Sequence, residues 1–161
     1  MKKSLIIIAM FGSLVLSHAQ IYEANLNGLQ EVPPNASPAT GFGDFSLTGT
    51  TFSVTTGSYQ DLLGNSTFIT LNDASSGTNA LIAILTSDVL GATTGTFSGS
   101  VPLTSIQITD LQNGNLYVNI RSMAFPSGEI CGEILPVPEP SASLIVGCGL
   151  ASVAFLRRRQ R

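Results

Sequence analysis

Residues 115–121 read Asn115-Leu116-Tyr117-Val118-Asn119-Ile120-Arg121, and their alternation decides the fold class. Successive side chains of a strand point to opposite faces, so Leu116, Val118 and Ile120 share one face while Tyr117, Asn119 and Arg121 share the other. Downstream, Gly128-Glu129-Ile130-Cys131-Gly132-Glu133-Ile134 repeats the period of two, with Ile130 and Ile134 on one face and Glu129, Cys131 and Glu133 on the other. Phe125-Pro126-Ser127-Gly128 between them is rich in turn residues, which predicts an antiparallel hairpin.

Working upstream, weaker strand patterns cover Tyr22 to Leu26, Phe42 to Leu47, Thr51 to Thr55, Ser66 to Leu71, Leu81 to Leu85 and Gly95 to Val101. Leu81-Ile82-Ala83-Ile84-Leu85 does not alternate, so this strand is expected to be buried on both faces. Short strands at this spacing predict an all-β sandwich or closed barrel. One short helix interrupts them. Thr104 and Gln107 have capping-box spacing, Ile108 and Leu111 lie three apart, and Asn113-Gly114 suits a helix end, which predicts a helix over Ser105 to Gln112.

Both ends of the chain read as targeting segments. Met1, Lys2 and Lys3 precede an apolar stretch from Leu5 to Leu16 and the small residues around Ala19, the pattern of a signal peptide spanning 1–19. Cleavage by signal peptidase is expected between Ala19 and Gln20. At the other end, residues 137–161 hold Val137-Pro138-Glu139-Pro140, an uncharged run from Ser141 to Leu156 and a basic tail. The run is short for a permanent span but adequate for a transient transmembrane helix, and its arginines would stay on the cytoplasmic side. The folding unit is therefore 20–136.

Setting the ends aside changes the charge. Six of the seven basic residues lie in them, which leaves Arg121 against nine carboxylates between Gln20 and Val137, a formal charge of −8. A phosphate backbone needs clustered cations, so nucleic acid is not an expected partner. The only histidine, His18, lies in the signal segment. Its expected loss removes histidine-based catalysis and imidazole metal sites, and no cofactor or metal is expected. Cys131 and Cys148 fall in different segments, so no internal disulfide is expected.

Three groups could carry chemistry. Cys131 is a candidate nucleophile, but Glu129 and Glu133 flank it on the strand face and disfavour its thiolate. Arg121 is expected to form a structural cross-strand ion pair with Glu129 and Glu133. Carboxylates alone can support calcium binding or glycoside hydrolysis. Asn72-Asp73-Ala74-Ser75-Ser76-Gly77 is only loosely like a calcium loop.

Two stretches carry a family resemblance. Ala24-Asn25-Leu26-Asn27-Gly28 with Gln30-Glu31-Val32-Pro33-Pro34 and Ser37-Pro38-Ala39-Thr40-Gly41 resembles the opening of a chordin-type (CHRD) domain, and Gly114 to Ile120 followed by Gly128 to Ile134 resembles its close. The resemblance implies an antiparallel immunoglobulin-like or Greek-key fold. It does not extend to the histidines common in that family: the middle here reads Ser66-Thr67-Phe68-Ile69-Thr70-Leu71-Asn72-Asp73, and Arg121 follows the last strand's apolar core. The C-terminal segment resembles a PEP-CTERM sorting signal. That implies recognition by an exosortase, transit through the inner membrane, and delivery to the cell surface or extracellular polysaccharide matrix.

The sequence thus points to an exported, non-catalytic protein with a structural or binding role, its partners being extracellular polysaccharide or surface proteins. A calcium-dependent adhesion module and a carboxylate-based glycoside hydrolase are the alternatives. Intact mass spectrometry of the protein from its producing cell should give a chain that begins at Gln20 and lacks Ser141 to Arg161. A mass that retains the C-terminal segment would contradict sorting by cleavage.

Overall fold

A computed structural model of the chain describes residues 19–75, 80–87 and 91–138. The strands are β1 Gln20–Asn27, β2 Thr40–Thr48, β3 Thr51–Gln60, β4 Ser66–Asp73, β5 Ala80–Ser87, β6 Gly95–Ser98, β7 Ser100–Pro102, β8 Leu116–Ser122, β9 Ile130–Glu133 and β10 Leu135–Pro136, with helix α1 at Ser105–Gln112. Every pairing is antiparallel. The order β1-β2-β3-β6-β5-β4-β8-β9 closes on itself because β9 also pairs with β1, through Asn27 and Cys131. Of the sandwich and the barrel, the chain takes the closed eight-stranded barrel, which leaves no free edge in that ring of strands. Within it β3-β6-β5-β4 forms a Greek key, the crossover falling between β3 and β4.

Alternation along each strand fills the barrel. Tyr22, Ala24 and Leu26 of β1, Phe45 and Leu47 of β2, and Phe52 and Tyr59 of β3 are all buried. They meet Ile69 and Leu71 of β4 and Leu116, Val118 and Ile120 of β8 in one core. Phe45 and Phe52 stack with ring centroids 5.3 Å apart. Close packing sets the glycines as well: a Cβ on Gly132 would meet the carbonyl oxygen of Asn25 at 2.5 Å, so the contact that closes β9 onto β1 needs glycine there. Helix α1 is capped as its sequence predicts, with Thr104 and Gln107 bonded reciprocally. Its Leu111 is buried while Ile106 stays outside.

Two expectations are corrected. Leu81 to Leu85 is not buried on both faces: Leu81 is 57% and Ile84 61% exposed, because β5 is part of a barrel wall and only its inner side meets the core. A register shift between Leu71 and Asn72 of the paired β4 accompanies the irregular pattern. The Gly95–Val101 stretch forms two strands, broken at Gly99, whose φ of +159° lets the chain pass from β6 to β7. No helix among the described residues is long and apolar enough to cross a membrane; the expected sorting helix, and most of the signal peptide, lie outside those residues.

Phe52 and Phe68 make a paired test of inside and outside. Phe52→Ala should cost about 3–5 kcal/mol in urea unfolding, whereas Phe68→Ala, from a half-exposed outer position, should change stability by about 0.5 kcal/mol or less. Equal losses would contradict the barrel interior described here.

Candidate functional site

In an antiparallel barrel the β1–β2, β3–β4, β5–β6 and β8–β9 connections emerge at one end. Those from β1 to β2 and from β3 to β4 reach Glu129, which is fully buried just before β9. Its Oε1 accepts hydrogen bonds from the Ser37 hydroxyl and the Leu63 backbone N–H, each at 2.6 Å, and its Oε2 accepts one from the Ser122 hydroxyl. Asn35 Nδ2 donates to the Glu129 carbonyl at 2.9 Å. The carboxyl group thus ties the β1–β2 and β3–β4 connections to the end of β8.

The expected ion pair of Arg121 with Glu129 and Glu133 gives way to a different division of charges. Glu129 turns inward and is held by the groups just named. Glu133 stands opposite Tyr117 in the β8–β9 register, about 13 Å along the strand from Arg121 at ~3.3 Å per residue. The carboxylate that feels the Arg121 charge is Glu31, from the β1–β2 connection. The Nε of Arg121 is buried without a hydrogen-bond partner among the described residues.

Glu31 lies across the outer face of β8 and β9. Asn119 Nδ2 donates to both of its oxygens, at 3.1 and 3.3 Å, and Cys131, directly opposite Asn119 in register, donates its S–H to the same carboxylate. Gly128 makes room, since a Cβ there would lie 2.5 Å from both Glu31 and Asn119 side-chain atoms. Burial raises the Glu31 pKa, opposed by the Cys131 and Asn119 hydrogen bonds and the Arg121 charge. Burial also pushes the Cys131 thiol up to about 12, helped by the charge and hydrogen bond of Glu31 and by the charge of Glu133. The sequence led to the expectation that Glu129 would be one of those charges; Glu31 takes that place.

Beside this cluster runs a recess of about 460 Å³ along the outward residues of β8, Tyr117, Asn119 and Arg121. Glu133 and Asn72 flank it, and Glu31 closes over it. Asn72 is itself buried, with Nδ2 donating to the Thr70 hydroxyl at 2.9 Å, and the neighbouring Asp73 accepts from the Ser75 N–H at 2.8 Å in a local turn. The rest of the calcium-like stretch, residues 76–77, lies outside the described residues, as do Glu139 and Pro140 of the expected sorting motif. Val137 is fastened to the barrel, its N–H donating to the Ile21 carbonyl at 3.0 Å. Ala19 and Gln20, the expected signal cleavage pair, sit where β1 begins.

Glu31 and Asn119 were not singled out from the sequence. Asn119 lies on the strand face that alternation assigns to solvent, and nothing local announces that a connection ninety residues away will cover it. The Gln30-Glu31-Val32-Pro33-Pro34 motif was the available signal.

The raised pKa of Glu31 has a defined consequence for stability. A group whose folded pKa lies above its unfolded one contributes stability that is fully present below the unfolded pKa and is lost as pH rises through the folded pKa. The stability of the native chain relative to Glu31→Gln should therefore fall as pH is raised from about 4 to about 7, read from thermal melts of both proteins. A difference that does not vary with pH would show that Glu31 is not desolvated as described.

No curated protein and no solved structure gives a significant match to the chain. Among protein families, the CHRD domain matches residues 22–134. That span runs from the first core residue of β1 to the last buried residue after β9, so it takes in the whole closed barrel and both sides of the Glu31–Asn119–Cys131 cluster. The chain belongs to the CHRD-domain family.

Proposed function

We propose that this CHRD-domain protein is exported and non-catalytic, and that it serves as a binding or structural unit at the cell surface or in the extracellular polysaccharide matrix. The observation that carries the reading is the chemical state of the recess. Its thiol is held protonated, with its pKa near 12, and Glu31 is engaged by Asn119 and Cys131. A thiol that stays neutral at physiological pH is a poor nucleophile, and a carboxylate tied to internal donors is poorly placed to move a substrate's proton. What remains is a shaped polar surface on a rigid wall.

Export rests on the terminal segments. Signal peptidase would cut between Ala19 and Gln20, and an exosortase would read Val137, Pro138, Glu139 and Pro140 during passage through the inner membrane. The barrel suits this use, since Tyr22 and Pro136 pair side by side and the chain enters and leaves at one corner. A domain tethered at one corner keeps its walls accessible.

Fractionation of the producing cell tests the reading. The native chain should reach the outer surface or medium, and a Pro138→Ala, Pro140→Ala variant should accumulate in the inner membrane. The purified protein should release no reducing ends from the producer's polysaccharide. Unchanged surface delivery of the double variant would overturn the sorting assignment, and reducing-end release that Glu133→Gln abolishes would overturn the non-catalytic one.

A further inference from the structure

The recess on β8 has a composition that selects among ligands. Arg121 shares the recess with two carboxylates, Glu31 and Glu133, and the surrounding domain carries a formal charge of −8, so an anionic ligand would meet net repulsion. A metal cation would have to share the recess with the Arg121 guanidinium, and the more buried carboxylate is already bonded to Asn119 and Cys131. An apolar ligand would strip water from the carboxylates, amides and guanidinium without replacing their hydrogen bonds. A neutral ligand rich in groups that both donate and accept escapes all three objections.

Two buried atoms point the same way. Asn119 is 6% exposed; its Nδ2 is taken by Glu31, but its Oδ1 has no partner among the described residues. Two residues along the same strand face, Arg121 presents Nε, also without a partner. One is an acceptor and the other a donor, and a hydroxyl group is the neutral function that can answer both. At the other end of the recess Tyr117 is half-buried, and burial raises its pKa, which keeps its hydroxyl a donor beside a flat apolar ring. Glu133 stands opposite it as an exposed acceptor. The outward row from Tyr117 to Arg121 is about 13 Å long at ~3.3 Å per residue, and the volume of 460 Å³ lies within the ~300–1,000 Å³ of small-molecule sites.

We infer that the outer face of β8 is a saccharide-binding groove, in which neutral sugar units lie along Tyr117, Asn119 and Arg121 with Glu133 as a hydroxyl acceptor. The inference rests on the binding role proposed above and names its ligand class and its site.

Saturation-transfer NMR and calorimetry test it on the full chain, kept in a detergent without a sugar headgroup. The probes are cellobiose, maltose and lactose, with sodium glucuronate and calcium chloride as charged comparators. At least one neutral disaccharide should bind. Tyr117→Ala and Glu133→Gln should each weaken it about tenfold, and Glu23→Gln, on the exposed side of β1, should leave it unchanged. Should Tyr117→Ala fail to fold, Glu133→Gln decides, because Glu133 is exposed and its amide is isosteric. The inference is overturned if no neutral sugar binds, if a bound sugar ignores the variants, or if glucuronate or calcium alone binds in the groove. Absence of sugar binding leaves the export reading intact. New reducing ends would instead sink the non-catalytic reading and leave the groove a sugar site.

Discussion

The structure depends on a carboxyl group placed where a strand must begin inside the barrel. Strand β9 pairs with β8 on one side and meets β1 on the other, so its first residues are enclosed, and Glu129 has no route to solvent. A buried polar group is tolerated when its hydrogen bonds are made within the protein. Here Ser37 and Leu63 supply them from two separate connections and Ser122 from the end of β8. Each donor left unpaired would cost about 1–3 kcal/mol, against a total stability on the order of 5–15 kcal/mol for a domain of this size. Polar satisfaction at one atom group therefore fixes the conformation of that end of the barrel.

The β1–β2 connection, once fixed there, is also fixed over the outer wall. Asn35 and Ser37 are held at Glu129, and a few residues earlier Glu31 is laid onto Asn119 and Cys131. Barrel closure makes this geometry possible, because β1 and β9 come from opposite ends of the folded chain and meet only at the seam. The two sequence stretches that resemble the family thus form one physical unit. Gly132 lets the seam close and Gly128 leaves space for the Glu31 carboxylate. The wall beside the seam is consequently a polar surface with a fixed cover.

Much of this was legible in the sequence wherever the decisive interaction is local. The alternation in residues 115–121 places Leu116, Val118 and Ile120 in the core, where all three are fully buried. Thr104 and Gln107 set the start of α1, and its observed bounds are the predicted ones. Failures arise where the environment of a residue is made by distant chain. Leu81 to Leu85 is hydrophobic enough for a two-sided core, but curvature of the wall leaves Leu81 and Ile84 outside. Glu129 continues the alternation of its strand in the sequence, yet it stands just before β9 and is buried against Ser37, Leu63 and Ser122. Whether the sheet closes was equally hidden, since closure is decided by one pairing between Asn27 and Cys131, about a hundred residues apart.

The same distinction bears on function. Composition identifies an acidic domain with a single cation but cannot say whether that cation meets solvent, a neighbouring strand or a ligand. The fold places Arg121 beside a buried amide and under a carboxylate brought from the other end of the domain. A lone positive charge in an acidic domain would ordinarily form a surface pair worth about 0–1 kcal/mol. Enclosed within a recess, with its Nε unpaired, it instead adds a directional donor to a site that already holds acceptors. In the groove proposed above, that mixture of donors and acceptors would favour neutral, hydroxyl-rich ligands, because a charged ligand of either sign meets a group of like charge while polyols meet both kinds of partner.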